Sequence, residues 1–153
     1  MCARLEFRTM SEEWAVPLAE FFAELLANGE DKNFHPHPLT LQAARRIAEL
    51  RGRDLYFVVV EGKCVVGYGM LRGWDEGFET PSLGIALSSK VRGIGLGTAF
   101  MSFLHLNATR AGAKAIRLKV YSTNAAAVAL YKKLGYAFTK ENAEEMVGLL
   151  LLR

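Results

Sequence analysis

The clearest chemistry in this sequence lies in a glycine-rich loop at 92–98, which reads R-G-I-G-L-G-T. An apolar, strand-like run at 83–87 precedes the loop, and an apolar, helix-forming run at 99–104 follows it. A loop between a strand and the start of a helix exposes several backbone N–H groups at the positive end of a helix dipole. The loop is therefore a candidate binding site for a phosphate-bearing ligand. The alternative interpretation is a glycine-rich turn that only starts a helix.

The loop fits neither of two well-known phosphate-binding fingerprints. The dinucleotide fingerprint G-x-G-x-x-G needs a third glycine, but its two possible registers have Thr98 and Phe100 at that position. The P-loop fingerprint needs a lysine directly after its last glycine, whereas Lys90 and Arg92 precede the glycines here. The spacing that remains is R-x-x-G-x-G, which begins at Arg92.

A second stretch, residues 124–136, reads N-A-A-A-V-A-L-Y-K-K-L-G-Y. Asn124 is a good N-cap, the alanines after it favour a helix, and Gly135 is where a C′ glycine would end that helix. Seven residues at about 100° each return to within about 20° of the same face, so Asn124 and Tyr131 share one stripe of the helix. A lone helical tyrosine is most often a half-buried aromatic residue with its hydroxyl in water.

Together, the two stretches resemble the conserved motifs of the GNAT superfamily of N-acetyltransferases. The first is similar to its acyl-CoA pyrophosphate loop, and the second to its stretch N-x-x-A-x-x-L-Y-x-K-x-G-[FY]. Their order also matches, with a strand-like run at 115–120 between them. The resemblance is most specific over 82–136. It implies an α/β (α+β) fold of the GNAT type, with a mixed central sheet of about seven strands flanked by about four helices.

The resemblance also implies an enzyme that transfers an acetyl group from acetyl-CoA to an amine by direct attack in a ternary complex. The residues it implies for binding the CoA pyrophosphate are Arg92, Gly93, Ile94, Gly95, Leu96, Gly97 and Thr98. It implies that the backbone of Ala86 and Leu87 pairs with the pantetheine arm, which Asn124 also faces. Tyr131 occupies the position of the general acid that protonates the departing thiolate.

The general base is harder to assign. An alkylamine with a pKa of about 10.4 is only about one part in 2,500 neutral at pH 7, which costs roughly 4.6 kcal/mol unless a base removes the proton. Many GNAT relatives place a glutamate on the strand before the loop, but the strand at 82–87 has no carboxylate. Glu79, in the preceding loop, and His35, in the loop at 33–38, are the best candidates. An acceptor amine with a pKa near 7.5 would need less help, because its deprotonation costs only about 0.7 kcal/mol.

Other titratable residues near these candidates are expected to be structural. We expect Asp75 and Glu76 to lie in a solvated turn. His37, between two prolines, is expected to pack within its loop, and His105 is expected to lie on the surface of its helix.

Three functional readings follow from these residues. The first is an N-acetyltransferase acting on the primary amine of a small molecule. An amino sugar is one such acceptor, because residues 77–85 are loosely similar to relatives linked to surface-sugar synthesis. The second is an enzyme acting on a terminal or lysine amine of a protein or peptide. The third is a catalytically weak CoA-binding regulatory module, which the missing strand carboxylate favours and the intact Tyr131 opposes.

Composition limits the possible partners. The 153 residues, 51% of them apolar and 23% charged, indicate one globular domain over 1–153. A net charge of +3 with scattered basic residues predicts no nucleic-acid partner, although it suits an anionic cofactor. No C-x-x-C or H-E-x-x-H spacing is present, so the sequence predicts no metal site.

Cysteines and hydropathy indicate the compartment. Cys2 and Cys64 do not form a disulfide framework, and Cys64, in a strand-like run, is expected to be a small buried residue. Residues 1–6 have no apolar leader, and no apolar run reaches 18 residues, so we expect a cytoplasmic protein without a membrane partner. The apolar strand at 147–152 would support a homodimer if it lay at a sheet edge, and a core strand explains it equally well.

Periodicity and turn residues predict the elements that must position these groups. We expect strands at 5–9, 55–61, 63–72, 82–87, 113–121, 136–140 and 146–152. Helices are expected from Ser11 to about 28, from Thr40 to about 51, from the glycine loop to about 110, and over 124–134.

Overall fold

A computed structural model describes residues 4–153, and Cys2 lies outside this range. The strands are β1 (Leu5–Thr9), β2 (Leu55–Glu61), β3 (Cys64–Arg72), β4 (Ser82–Leu87), β5 (Ala115–Tyr121), β6 (Ala137–Lys140) and β7 (Glu145–Leu151). The helices are α1 (Ala15–Ala27), α2 (Leu41–Glu49), α3 (Leu96–Arg110) and α4 (Ala125–Lys133). The strands form one mixed sheet in the order β1-β2-β3-β4-β5-β7-β6, which confirms the predicted fold class.

Each face of the sheet carries its own helices because the inner strands are apolar on both faces. On β2, Val58 and Val60 belong to the core under α1 and α2, whereas Phe57 and Val59 belong to the core under α3. Both sets are almost completely buried. A strand covered on both faces appears as a continuous apolar run rather than an alternating one, which is the pattern at 55–61.

The start of α1 differs from the prediction. Ser11 precedes a short 3-10 turn and makes no side-chain capping bond, and the α-helix begins only at Ala15. Pro17 explains the difference, since proline has no N–H and is tolerated only in the first turn of a helix. Thr40, by contrast, caps α2 as expected, because its hydroxyl accepts from the Ala43 N–H at 3.1 Å.

The sheet is split between β4 and β5. These strands are parallel and pair only at Ser82 and Arg117, whereas β3 and β4 pair along six positions. Beyond Ser82 the two strands diverge, so the second half of β4 presents backbone N–H and C=O groups to an open gap. A gap of this kind exposes hydrogen-bonding groups that an extended ligand is able to satisfy.

One expectation about the sheet is wrong, and one open alternative is decided. Cys64 is exposed, because it is the first residue of β3 and adjoins the turn at Gly62. The C-terminal strand β7 is paired on both sides, with β5 and with β6, so it does not offer a free edge to a second chain. No helix within residues 4–153 is long and apolar enough to cross a membrane.

Candidate active site

The gap between β4 and β5 opens into a cleft of about 550 Å³, here called the glycine-loop cleft. Seven residues that the sequence assigned to CoA or catalysis line this one cleft: Ala86, Leu87, Arg92, Gly93, Gly97, Asn124 and Tyr131. They come from β4, from the loop before α3, and from α4 with its N-cap. The remaining four residues of the predicted loop, Ile94, Gly95, Leu96 and Thr98, do not line the cleft.

Backbone geometry explains why the loop needs glycines. Gly93 and Gly95 have φ angles of 76° and 84°, in the left-handed region that favours glycine. The first helical hydrogen bond of α3 runs from the Ala99 N–H to the Gly95 carbonyl at 3.1 Å. The preceding amides of α3 have no acceptor within the helix, and no side chain caps them. Three consecutive N–H groups therefore point out of the helix start, where the dipole favours an anion.

Gly97 leaves space rather than filling it. A Cβ built there would lie 3.5 Å from Leu130 Cδ2 and 3.7 Å from Leu87 Cδ1, which is ordinary contact. The protein alone therefore does not require glycine at this position. A ligand that approaches the backbone closely would require it.

The side chain of Arg92 holds the loop in place. Its Nη2 donates to the Leu87 carbonyl at 2.9 Å and also pairs with the Glu30 carboxylate. Nearby, the Lys90 Nζ lies 3.7 Å from the Glu24 Oε1 and forms an ion pair with it. Both carboxylates come from α1 and the segment after it. Sequence reasoning missed them because Glu30 is 62 residues from Arg92 and no local pattern connects the two.

Tyr131 lies on the wall of the glycine-loop cleft and is only 8% exposed. Asn124 is the N-cap of its helix, and the Asn124 Oδ1 accepts from the Ala127 N–H at 3.4 Å. Burial raises the pKa of Tyr131 to about 12, so the phenol carries its proton at neutral pH. Within residues 4–153, no hydrogen bond occupies the Tyr131 hydroxyl. The side chain is therefore more buried than an ordinary helical tyrosine, and its proton is available to a ligand.

A second cleft of about 300 Å³, the His35 cleft, adjoins the first. The two clefts share six lining residues: Asn33, Phe34, Leu83, Gly84, Lys119 and Val120. In the His35 ring, Nδ1 lies 2.8 Å from the Asp31 carbonyl, and Nε2 lies 3.3 Å from the Tyr121 hydroxyl. A carbonyl only accepts hydrogen bonds, so Nδ1 carries the proton in the neutral ring. Nε2 is then the acceptor, and the Tyr121 hydroxyl donates a hydrogen bond to it.

Glu79 lies in a third cleft of about 700 Å³, the Phe78 cleft. This cleft shares Pro36, Arg72, Ser82 and Arg117 with the His35 cleft, and none of its lining residues belongs to the glycine-loop cleft. Glu79 is exposed there. Of the two candidate bases, His35 therefore lies in the cleft that joins the glycine-loop cleft directly, and Glu79 does not.

A family model, described as the acetyltransferase (GNAT) family, matches residues 18–136. The chain belongs to this family. The GNAT fold implies transfer of an acetyl group from acetyl-CoA to an amine, and it leaves open whether the acceptor is a small molecule or a protein. No curated protein matches the chain.

Solved structures of other GNAT proteins share the fold over nearly the whole chain. A GCN5-related N-acetyltransferase from Kribbella flavida is 23% identical over 97% of this chain and 98% of its own, with a TM-score of 0.78. The GNAT domain of PAT from S. lividans is 12% identical over 97% and 90%, with a TM-score of 0.83. The ribosomal-protein alanine N-acetyltransferase from Escherichia coli is 17% identical over 97% and 94%, with a TM-score of 0.72. At these identities the likeness shows the fold.

In this GNAT protein a buried tyrosine holds the loop that carries His35. The Tyr68 hydroxyl donates to His37 Nε2 at 2.9 Å, while His37 Nδ1 donates to the Pro38 carbonyl at 2.8 Å. Burial lowers the pKa of His37 and raises that of Tyr68, so both groups are neutral near pH 7. His37 is a packing residue, as the sequence indicated, and it fixes the loop against β3.

Two other titratable residues have structural roles that the sequence did not indicate. The Asp75 carboxylate accepts from the backbone N–H groups of Arg53 and Asp54 at 2.7 and 3.1 Å, so it is more than a solvated turn residue. His105 is half-buried rather than on the surface, and its Nε2 lies 2.8 Å from the Tyr136 hydroxyl. Burial lowers the pKa of His105. These contacts join residues far apart in sequence, which explains why local patterns missed them.

Proposed function

We propose that this protein is an acetyl-CoA-dependent N-acetyltransferase whose acceptor is the primary amine of a small molecule. The observation that carries the proposal is the convergence of three separate chain segments on the glycine-loop cleft, which adjoins the His35 cleft. One cleft then binds the donor and the other binds the acceptor. Their shared wall at Gly84 is where the acetyl group passes between the two substrates.

The donor is held mainly by backbone groups. The free amides at the start of α3, of which that of Gly97 lies on the cleft wall, bind the pyrophosphate of CoA, because they have no acceptor within the helix. The open edge of β4, around Ala86, pairs with the extended pantetheine arm. A main-chain N–H of the same strand polarises the thioester carbonyl and stabilises the negative charge that develops on its oxygen.

Tyr131 stabilises the leaving group. With a pKa of about 12, it is protonated whenever the enzyme works near neutral pH. Complete proton transfer to a thiolate of pKa about 8.5 would be uphill by roughly 4.8 kcal/mol, at about 1.36 kcal/mol per pKa unit. The hydroxyl therefore acts chiefly by donating a hydrogen bond to the departing sulfur, and solvent completes the protonation.

His35 removes the proton from the attacking amine. Its Nε2 accepts the ammonium proton when the amine takes the place of the Tyr121 hydroxyl there, while the Asp31 carbonyl holds the Nδ1–H. The freed nitrogen lone pair attacks the acetyl carbon and a C–N bond forms. The nitrogen then loses its second proton to solvent, and the C–S bond breaks to release CoA as its thiolate, which solvent protonates. Glu79 is the weaker candidate, because it lies in the cleft that does not adjoin the donor; both candidates are exposed.

A thiol-release assay tests the proposal. Purified protein is incubated with acetyl-CoA and separate amines, namely amino sugars, other small amines, polyamines and peptides. We expect CoA release with at least one small amine. Release with peptides alone would favour a protein-modifying enzyme. Tight CoA binding without turnover on any amine would contradict the enzyme and favour a CoA-binding regulatory module.

A further inference from the structure

Three polar side chains form a row across the sheet beside the split. In the strand register, Arg72 of β3 lies opposite Ser82 of β4, and Ser82 lies opposite Arg117 of β5. Residues directly opposite each other project from the same face of a sheet, and neighbouring strands are about 4.8 Å apart. The two arginines therefore flank the serine on one face, with their backbones about 10 Å apart. All three residues line both the His35 cleft and the Phe78 cleft.

The two guanidinium groups differ from the other cations around the site. Lys90, Arg92 and Lys119 each pair with a glutamate. No carboxylate within residues 4–153 lies within ion-pair distance of Arg72 or Arg117. Arg72 donates a hydrogen bond to the Pro36 carbonyl at 3.2 Å and also lies beside the Tyr56 hydroxyl, which still leaves most of its five N–H groups for other acceptors.

The carboxylates that line these clefts do not neutralise the pair by contact. Glu76 and Glu79 are exposed in the Phe78 cleft. Glu145 lines the His35 cleft, and its Oε1 accepts from Asn142 at 3.3 Å. Two positive charges on one sheet face repel each other, and an anion bound between them, beside the serine hydroxyl, offsets that repulsion. Arginine suits this role because its planar fork binds carboxylate and phosphate in a bidentate manner.

We propose that Arg72, Ser82 and Arg117 form an oxyanion subsite, and that the acceptor is a small amine that also carries a carboxylate or phosphate group. The inference rests on the proposed function, which supplies the reacting amine. At about 3.3 Å per residue, Ser82 lies about 7 Å along β4 from Gly84 and about 13 Å from Ala86. The anionic group therefore lies several bonds from the amine, as in an ω-amino acid or a phosphorylated amino sugar.

Matched acceptor pairs test the subsite. 6-Aminohexanoate is compared with 6-aminohexanamide, and glucosamine 6-phosphate with glucosamine, by the rate of CoA release. We expect kcat/KM to be at least about 10-fold higher for the anionic member of one pair, and that pair identifies the group as carboxylate or phosphate. If, in both pairs, kcat/KM for the anionic member is less than about 10-fold higher than for the neutral member, the subsite would be overturned.

Substitutions locate the effect. Arg117→Gln should raise KM for the anionic acceptor about 10- to 100-fold and change KM for its neutral partner by less than about threefold. Arg45→Gln removes an exposed arginine of α2 outside the clefts, and it should change neither value. Arg117→Lys keeps the positive charge but lacks the planar guanidinium fork, so its KM for the anionic acceptor should lie between those of the wild type and Arg117→Gln. It replaces Arg117→Gln in the experiment if that variant does not fold. Equal losses on both members of a pair would overturn the subsite.

Failure of the proposed function is distinguishable from failure of the subsite. If no amine releases CoA, binding of the same four compounds is measured by calorimetry in the presence of CoA. Tighter binding of an anionic member, lost in Arg117→Gln, would support the subsite without the enzyme. Equal or undetectable binding of all four would overturn the subsite.

Discussion

The glycine-loop cleft and the His35 cleft meet at Gly84, but they are built differently. In the first, the groups proposed to bind the donor are backbone groups of two short stretches, at the start of α3 and along the open edge of β4. The second is formed by side chains from distant segments, with His35 in the loop after α1 and Arg117 on β5. A backbone site tolerates change at most side chains, whereas a side-chain site depends on each residue that lines it.

Under the proposed function, this difference gives each cleft a distinct role. A backbone cradle fits a ligand whose phosphate and pantetheine groups are the same in every acyl-CoA. A cleft lined by side chains changes with each substitution, so it is suited to choosing the acceptor. The comparison therefore predicts that variants of the glycine loop change CoA affinity, and that variants in the His35 cleft change turnover and acceptor choice. Tyr131 is the exception in the glycine-loop cleft, because it is a side chain proposed to act on the leaving group.

The largest expected effect is at His35. His35→Gln removes the basic nitrogen and should lower kcat about 100- to 10,000-fold near pH 7, with little change in CoA affinity. The loss should shrink as the pH rises toward the pKa of the acceptor, because the amine then deprotonates without a base. Pre-steady-state CoA release between pH 6 and pH 10 measures both features. Glu79→Gln is the control, and a larger loss there than at His35 would transfer the role of base to Glu79.

Tyr131 should give the next largest effect. Tyr131→Phe keeps the buried ring and removes the hydroxyl, so turnover should fall about 10- to 1,000-fold while CoA affinity changes little. The readouts are kcat for CoA release and the dissociation constant of CoA by calorimetry. If affinity falls and turnover of the bound complex does not, Tyr131 is a packing residue of the glycine-loop cleft.

Local patterns were enough to predict the elements of the fold. The bounds of β2 and β4 agree with the sequence because their apolar runs adjoin the turn residues Gly62 and Pro81, and those of β1 agree because residues 5–9 alternate between apolar and polar. The start of α4 was predictable because Asn124 caps it through its own side chain. In each case the deciding interaction is made between residues a few positions apart.

Contacts between distant residues were not predictable in this way. The single pairing of β4 with β5, at Ser82 and Arg117, creates the cleft, yet neither strand contains a signal for it. In the sequence His105 has the pattern of a surface residue of α3, because its hydrogen-bond partner, Tyr136, lies 31 residues later. The ion pair of Arg92 with Glu30 is equally non-local. The sequence therefore indicated the backbone of the proposed donor cleft and two candidate bases, His35 and Glu79. It did not indicate the other side chains of the His35 cleft, such as Arg72 and Arg117.

Gly97 gives a smaller effect that separates CoA binding from folding. In Gly97→Ala the new methyl group has ordinary contacts at 3.5 and 3.7 Å, so the variant should be as stable as the wild type or slightly more stable. The methyl group occupies space that the pyrophosphate needs, so CoA affinity should fall about 10- to 100-fold. Calorimetry measures the affinity, and urea unfolding measures the stability.

Gly95→Ala is the matched control for this loop. The Gly95 φ of 84° disfavours a side chain, so this variant should lose about 1–2 kcal/mol of unfolding free energy. CoA affinity that is unchanged in Gly97→Ala would contradict a backbone cradle at the start of α3.

The smallest expected effect concerns the pH dependence of folding through His37. Burial lowers the pKa of His37 in the folded protein below its unfolded value, so the unfolded chain binds more protons when the pH falls below about 6.5. The stability contributed by neutral His37 is therefore present above that pH and is lost as the pH falls toward the folded pKa. His37→Gln cannot titrate, and its amide oxygen is able to accept from Tyr68, so its unfolding free energy should fall less between pH 7.5 and pH 5.5.

The expected difference between His37→Gln and the wild type is below about 1 kcal/mol, because solvent screens the partly exposed ring. Urea unfolding of the wild type and His37→Gln at pH 7.5 and pH 5.5 measures this difference. His105 is present in both proteins, so its effect on the pH dependence of the unfolding free energy cancels. Identical pH dependence would mean that His37 does not carry this linkage. If the loop at 33–38 loosens at pH 5.5 in the wild type and not in His37→Gln, acceptor turnover of the wild type alone should fall through this effect, without a change in CoA affinity. Such a result would distinguish the side-chain cleft from the backbone cleft.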